Sequence, residues 1–439
     1  MSGRFAEAGR RRPALVVVLA AGVLMGACGS TNPTATVAGP LGTPPAATAS
    51  VPAPTPTVAP TAEPPSVIYA RIEQQVEALR GLTADGTVLD PVVLDDTALA
   101  AALRTNFDRS EPPAALAAAE RLDRALGLIP ADASLRDLEL KLLDAQVAGF
   151  YDPKTKRMSV RSTTGSIGAL EQIAFAHEFD HALQDQHFDL TRLATSDLAQ
   201  GDRSLARLSL AEGDATILMT QWAQSALTPL QLLQYLGSAD LQGQTALLDT
   251  LPQALRDQLF FPYTSGLAFV QGLYAQGGWA AVDAAYARPP DSTEQILHPE
   301  KYAADERPVT IPIPTDLAKR LGAGWTVDLQ DTFGEFGLRD WLQVVGGVPA
   351  DVAADAAAGW GGDRVVMVSD GSAFAIAIQT AWDTPADATA FAAAADTTRA
   401  KLAASTALID PGTTDRVTVF VGSDAAAIAR LAGALGLAG

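Results

Sequence analysis

The chain holds four histidines in 439 residues, and two of them stand four apart in His177-Glu178-Phe179-Asp180-His181. On a helix that spacing sets both imidazoles on one face, one turn apart. Two neutral imidazoles so placed can each give a nitrogen to one Zn2+ at about 2.0–2.1 Å. Glu178 then stands beside the ion rather than on it, where a carboxylate can take a proton from a bound water. The motif is short and recurs by chance, so its surroundings carry weight. Leu170, Ile173, Ala174, Phe175, Ala176, Ala182 and Leu183 supply apolar residues on both sides, and no Pro or Gly falls between Ala169 and Asp189. The segment therefore predicts a mostly buried helix. Such a helix seldom carries His, Glu, Asp and His within five positions without a metal or catalytic reason.

A catalytic zinc usually takes three protein ligands and one water. Two residues compete for the third place. Glu212 lies in Leu208-Ser209-Leu210-Ala211-Glu212-Gly213-Asp214-Ala215, inside a second helical stretch from about Arg203 to Leu227. An acidic pair in so apolar a run is costly to bury unpaired, and coordination removes that cost. His187 stands ten residues after His177, the outer spacing of the HExxHxxGxxH pattern, but Gln184 occupies the glycine position that pattern needs for its turn. Glu212 is the preferred ligand. His187 reads better as a histidine at the helix end, where a cation suits the dipole. Asp185 shares the face of His181 and is the expected acceptor for a ligand N–H, a role open also to Asp214.

The set His177-Glu178-x-x-His181 with Glu212 on a later helix resembles the gluzincin class of zinc peptidases, with specificity over roughly Val147 to Ala215. The resemblance implies that His177, His181 and Glu212 are ligands and Glu178 the catalytic base. Two departures stand out: the gap from His181 to Glu212 is longer than in thermolysin-like members, and Thr216 sits where many members carry an acidic residue. The segment Ala176-His177-Glu178-x-x-His181-Ala182-Leu183-Gln184-Asp185-Gln186 is also similar to one in uncharacterised bacterial lipoproteins. Gluzincins often place a His or Tyr downstream to stabilise the oxyanion, a contribution of a few kcal/mol. By that resemblance His298 is the first choice, ahead of Tyr302 and Tyr263. The alternative is that the His298 imidazole ties down its own proline-bounded loop.

Other elements must position these groups. Asp152-Pro153-Lys154-Thr155-Lys156 is turn chemistry between two short extended runs. In zincins the strand ahead of the metal helix is an edge strand that pairs with extended substrate, a role open to Met158 to Ser162; the alternative is an ordinary hairpin that supports the helix. Helices are expected from Ser66 and near Asp96–Phe107, Pro113–Leu126 and Ser134–Ala148, with a further one between Phe261 and Tyr286. The end of the chain changes character. Arg364–Val368, Ala373–Ile378 and Arg416–Val421 read as strands, with helices from Pro385 to about Ala404 and from Asp424 to Leu435. The fold class is therefore α+β. A mostly helical zincin-like domain with a small edge-strand sheet spans residues 66–350, followed by a ββαβα module at 351–439.

Residues 1–27 read as a lipoprotein signal. Arg4, Arg10, Arg11 and Arg12 lead into an apolar run too short to span a bilayer, and Leu24-Met25-Gly26-Ala27-Cys28 resembles a lipobox. Cys28 is the one cysteine, so an internal disulfide is excluded and lipidation explains it. Residues 28–65, rich in Pro, Thr and Ala, form a tether. The net charge is −19, and removing residues 1–27 takes four Arg and one Glu, leaving −22. That balance argues against nucleic-acid binding. The expectation is a zinc peptidase acting on peptide or protein substrates, held to the cell membrane by lipid on the extracytoplasmic side. A non-catalytic envelope module on the same fold and a zinc amidase acting on cell-wall polymer are the alternatives.

Overall fold

The computed structural model describes residues 63–86, 91–110, 112–146, 149–161, 167–193, 199–236, 246–409 and 414–437. The expected signal, Cys28 and the tether up to residue 62 lie outside these residues. Helix α1 (Pro65–Arg80) comes first, then strand β1 (Val92–Leu94) and helices α2 (Asp96–Ser110), α3 (Pro113–Ala125) and α4 (Leu135–Gln146). Proline opens α1 and α3, where its missing N–H costs nothing and its fixed φ suits the first turn.

Strands β2 (Gly149–Asp152) and β3 (Arg157–Arg161) form the expected hairpin. Asp152 closes its turn by accepting from the Lys154 N–H and the Thr155 hydroxyl. The strand order is β1-β3-β2, with β1 parallel to β3 and β2 antiparallel to it. The expectation of an edge strand at Met158 to Ser162 is thereby corrected. Residues 157–161 form the middle strand, with β2 paired along Arg157–Val160 and β1 along Ser159–Arg161, and Ser162 lies outside the described residues. The outer strand against the motif helix is β2.

Helix α5 (Ala169–Phe188) carries the motif and is followed by α6 (Leu190–Leu193), α7 (Gly201–Ala226) and α8 (Pro229–Leu236). Glu171 caps α5 by accepting the Gly168 N–H, and Asp189 in the left-handed region (φ 59°) ends it. Every residue from Ile173 to Asp185 is buried, so α5 is a central helix whose middle has no solvent face. Ile72 and Val76 of α1, Met158 and Val160 of β3, and Leu218 and Trp222 of α7 surround Phe175, Phe179 and Leu183.

The helix expected between Phe261 and Tyr286 is divided. A π-helical turn (Pro262–Gly266) leads into Leu267–Gly277, and Gly278 (φ 63°) breaks it from Trp279–Ala287. The π turn lies on α7 at two glycines. A Cβ on Gly213 would stand 2.4 Å from the Gly266 carbonyl oxygen, and one on Gly266 would stand 2.4 Å from that of Ser209. Backbone meets backbone one residue from Glu212.

The chain ends in a five-stranded antiparallel sheet of β4 (Thr326–Asp331), β5 (Trp360–Ser369), β6 (Phe374–Trp382), β7 (Ser405–Ile409) and β8 (Arg416–Gly422), in the order β4-β5-β6-β8-β7. Alternation divides its residues between two cores. Val365, Met367 and Ile378 meet Phe391, Trp341, Leu122 of α3 and Leu126 at its end, while Val366, Val368 and Ala377 meet Ile428 and Leu431. The boundary expected at 351 falls too late. Strand β4 pairs with β5, so the sheet already begins at Thr326, and β7 adds a strand that ββαβα did not include. The whole is a mixed α+β structure, and among the described residues no helix is long and apolar enough to cross a membrane.

Candidate metal centre

His177 and His181 project from one face of α5 and Glu212 from the facing side of α7, all three at most 1% exposed. The His177 and His181 Nε2 atoms are 3.0 Å apart, and Glu212 Oε2 lies 3.2 Å from the first and 3.5 Å from the second. A tetrahedron with ligands at 2.0–2.1 Å has edges of about 3.3 Å. The triangle therefore has the size of one face of a zinc coordination shell, and the three residues fit such an ion. The fit extends to the leftover polar atoms. Glu212 Oε1, His177 Nδ1 and both oxygens of Glu178 are buried without a hydrogen-bond partner. Native interiors rarely leave so many orphans together.

Glu178 stands against β2: a Cβ on Gly149 would lie 3.5 Å from its Cγ. A larger residue at 149 would also collide with the Ser159 carbonyl oxygen, at 2.8 Å, so glycine lets the strand approach Glu178. Burial pushes the Glu178 carboxyl up to about 8, with the His181 and Glu212 charges partly cancelling and the Tyr151 N–H, nearby but outside hydrogen-bond geometry, pulling weakly down. Burial lowers His177, and its bond to Glu212 only partly compensates. For His181 burial also works downward, but the Glu212 carboxylate overrides it and the ring rises to about 9. Burial opposes ionisation of Glu212 too, yet the two imidazoles hold its carboxyl below the usual range. Without an ion the site is thus a buried imidazolium–carboxylate pair beside a reluctant acid.

The supporting layer differs from expectation. His181 Nδ1 lies 3.0 Å from Gln184 Oε1, not on Asp185. Asp185 instead accepts from the Tyr151 hydroxyl (2.8 Å), the Lys156 ammonium (2.5 Å) and the Leu190 N–H (3.1 Å), tying β2 and the hairpin turn to α5. An i+4 carboxylate shares the face of a ligand but has its own neighbours, and here they win. Asp214 accepts a two-pronged bond from Arg80 (3.1 and 2.9 Å) and the Tyr286 hydroxyl (2.8 Å), so it does not touch the histidines. Arg80, the last residue of α1, is 1% exposed and also pairs with Asp180 (3.7 Å) and Asp283 (2.7 Å) under the Trp279 ring. Burial and the neighbouring Asp214 push Asp180 up to about 7 against the pull of Arg80. His187 is no ligand: its Nε2 bonds the Thr83 carbonyl at 2.9 Å. Thr216 is buried on α7 with its hydroxyl unpartnered.

His298 is not brought to the triad. Its Nε2 bonds Glu335 at 2.9 Å and its Nδ1 faces Glu300 at 3.7 Å. The bond to Glu335 raises its pKa. These contacts favour the reading in which the imidazole ties down its own loop over that of an oxyanion donor. Tyr302 donates to the Arg288 carbonyl at 2.9 Å, and Tyr263 is buried in the π turn. Gln184 and Arg80 are the site residues that sequence reasoning missed. Gln184 was legible only as the wrong residue for a glycine, and Arg80 is 97 residues ahead of His177 with no spacing to connect them.

Residues 320–432 match a family model described as a domain of unknown function, DUF8575. That span takes in the whole five-stranded sheet and none of the triad. No curated protein and no solved structure matches the chain.

Proposed function

We propose that the chain is a zinc-dependent peptidase whose ligands are His177, His181 and Glu212 and whose base is Glu178. The observation that carries this reading is the buried Nε2–Nε2–Oε2 triangle, sized for a tetrahedral ion, with an unpartnered carboxylate beside it. A zinc ion bound there would supply a Lewis acid and a water with a pKa near 7. With the ion in place, a Glu178 carboxylate oxygen would be placed to accept a proton from an attacking water and pass it to the departing amine. The outer strand beside it, β2, has one edge without a strand partner among the described residues, and this supports an extended peptide rather than a cell-wall polymer as substrate. The lipobox-like run ending at Cys28 supports anchoring outside the cytoplasmic membrane. The acidic balance supports a partner other than nucleic acid.

Zinc content and proteolysis test the reading together. Purified protein should hold one zinc per chain and cleave unfolded protein substrates in a chelator-sensitive way. Glu178→Gln should keep the zinc and lose cleavage, while Glu212→Ala should lose the zinc and His187→Ala should keep it. Zinc binding without any cleavage would leave a binding module on this fold. A wild-type protein that takes up no zinc would remove the reading.

A further inference from the structure

Between the triad and the buried Arg80 cluster lies one neutral side chain, Gln184, with three polar contacts and no solvent exposure. Its Nε2 is 3.1 Å from the Ala211 carbonyl oxygen and 2.8 Å from Asp180 Oδ2, and its Oε1 is 3.0 Å from His181 Nδ1. The Ala211 carbonyl can only accept, whatever the charge on Asp180. That fixes which end of the amide is nitrogen, the assignment that otherwise has to be inferred. With both N–H groups facing acceptors, Oε1 must face the imidazole. An oxygen can only accept, so His181 Nδ1 must carry a hydrogen. In the neutral ring that metal binding requires, the remaining nitrogen, Nε2, is then the one free to give a lone pair, and it is the one in the triangle.

We propose that Gln184 is a positioning residue that sets the tautomer and ring orientation of His181 for the metal. It does so by passing on the polarity of the Ala211 carbonyl and the Asp180 carboxylate. The role rests on the zinc reading above. It gives the two histidines unequal support, since His177 Nδ1 is buried without a partner. Gln184 also spans the two metal helices. It bonds a ligand on α5 and the peptide group preceding Glu212 on α7, so one amide sets the register between all three ligands. Asp180 is held by Arg80 of α1, and the line of contacts runs Arg80, Asp180, Gln184, His181.

The test replaces Gln184 by methionine, which keeps its length without its polar atoms. Zinc affinity is measured by competition with a chromophoric chelator, and imidazole 15N and long-range 1H–15N spectra are recorded on the zinc-loaded proteins. Loss of an outer bond to a ligand histidine typically weakens metal binding 10–100-fold, and Gln184→Met is expected in that range. The His181 Nδ1–H proton should move upfield and exchange faster, with the His177 resonances unchanged as internal control. A mere packing defect would lower melting temperature without singling out one ring. If Gln184→Met binds zinc within about threefold of wild type and leaves the His181 spectrum alone, the positioning role is wrong and the peptidase reading stands. If wild type itself takes up no zinc, both fall. Should the variant not fold, the wild-type spectrum decides: a slowly exchanging, downfield Nδ1–H on His181 is required, and an unprotonated Nδ1 overturns the proposal.

Discussion

Glu178→Gln should stabilise the metal-free protein, and by an amount that grows with pH. Glu178 is fully buried, and neither carboxylate oxygen has a hydrogen-bond partner. Its folded pKa is raised from 4.5 to about 8. Below pH 4.5 the group is neutral folded or unfolded and costs nothing through ionisation. As pH climbs, the unfolded chain releases this proton first, so stability drains away until the folded carboxyl also ionises near 8. At about 1.36 kcal/mol per unit the wild type loses about 3 kcal/mol by pH 7 and about 5 kcal/mol at the plateau. A glutamine has no proton to lose and leaves a similarly unpartnered neutral group. Urea unfolding of both proteins in chelator at pH 4.5, 7 and 8.5, followed by tryptophan fluorescence, reads the difference directly. The variant should match wild type at the lowest pH and exceed it by several kcal/mol at the highest. A difference that stays flat with pH, or a variant less stable at 8.5, would refute the view of Glu178 as an unpaired buried base.

Arg80→Met removes the guanidinium paired with Asp180, Asp214 and the partly exposed Asp283, and breaking a buried pair this way costs about 3–5 kcal/mol; the loss should shrink at pH 5, where Asp180 and Asp214, both raised by burial, can protonate, as paired melting curves will show. Gly213→Ala drives a methyl into the Gly266 carbonyl and should cost about 1–3 kcal/mol by urea unfolding, with weaker zinc uptake because Glu212 is adjacent. His298→Ala should leave the rate of peptide cleavage within about threefold and lower stability modestly, since it removes only the bond to Glu335; a fall of about 100-fold or more would restore it to the catalytic machinery.

The triad was readable because its spacing is a geometric statement. Two histidines four apart must share a helix face, and a carboxylate within an apolar helix needs a partner. The departures have physical causes too. Asp185 has the periodicity of a supporting acid, but a tyrosine and a lysine on the preceding hairpin reach it first. Gln184 gives neither charge nor rarity to notice, and its role exists only once Ala211 of another helix stands 3.1 Å away. A lone histidine in a loop carries no spacing, so His298 could be weighed by scarcity alone, and scarcity does not say what lies nearby. The sheet at the chain's end was half legible. The apolar runs of β5, β6 and β8 declare themselves, but β4 holds Asp328, Gln330 and Asp331 among its six residues, and β7 follows closely on a helix of Ala and Thr.

Strand β4 ends at the foot of α7. Asp331 takes the Gly201 N–H at 2.7 Å, the Thr332 carbonyl takes that of Asp202 at 3.2 Å, and Arg364 of β5 reaches the Ala199 carbonyl at 2.7 Å. Asp202 in turn fastens Thr293. The terminal unit is therefore a footing into which the Glu212 helix is set, not an appendage to be trimmed. A protein shortened to residue 319 would lift the first turn of that helix out of its socket and bare Leu122 and Leu126 to water. Insoluble product is the outcome to expect from such a truncation, even though every residue of the triad would still be present.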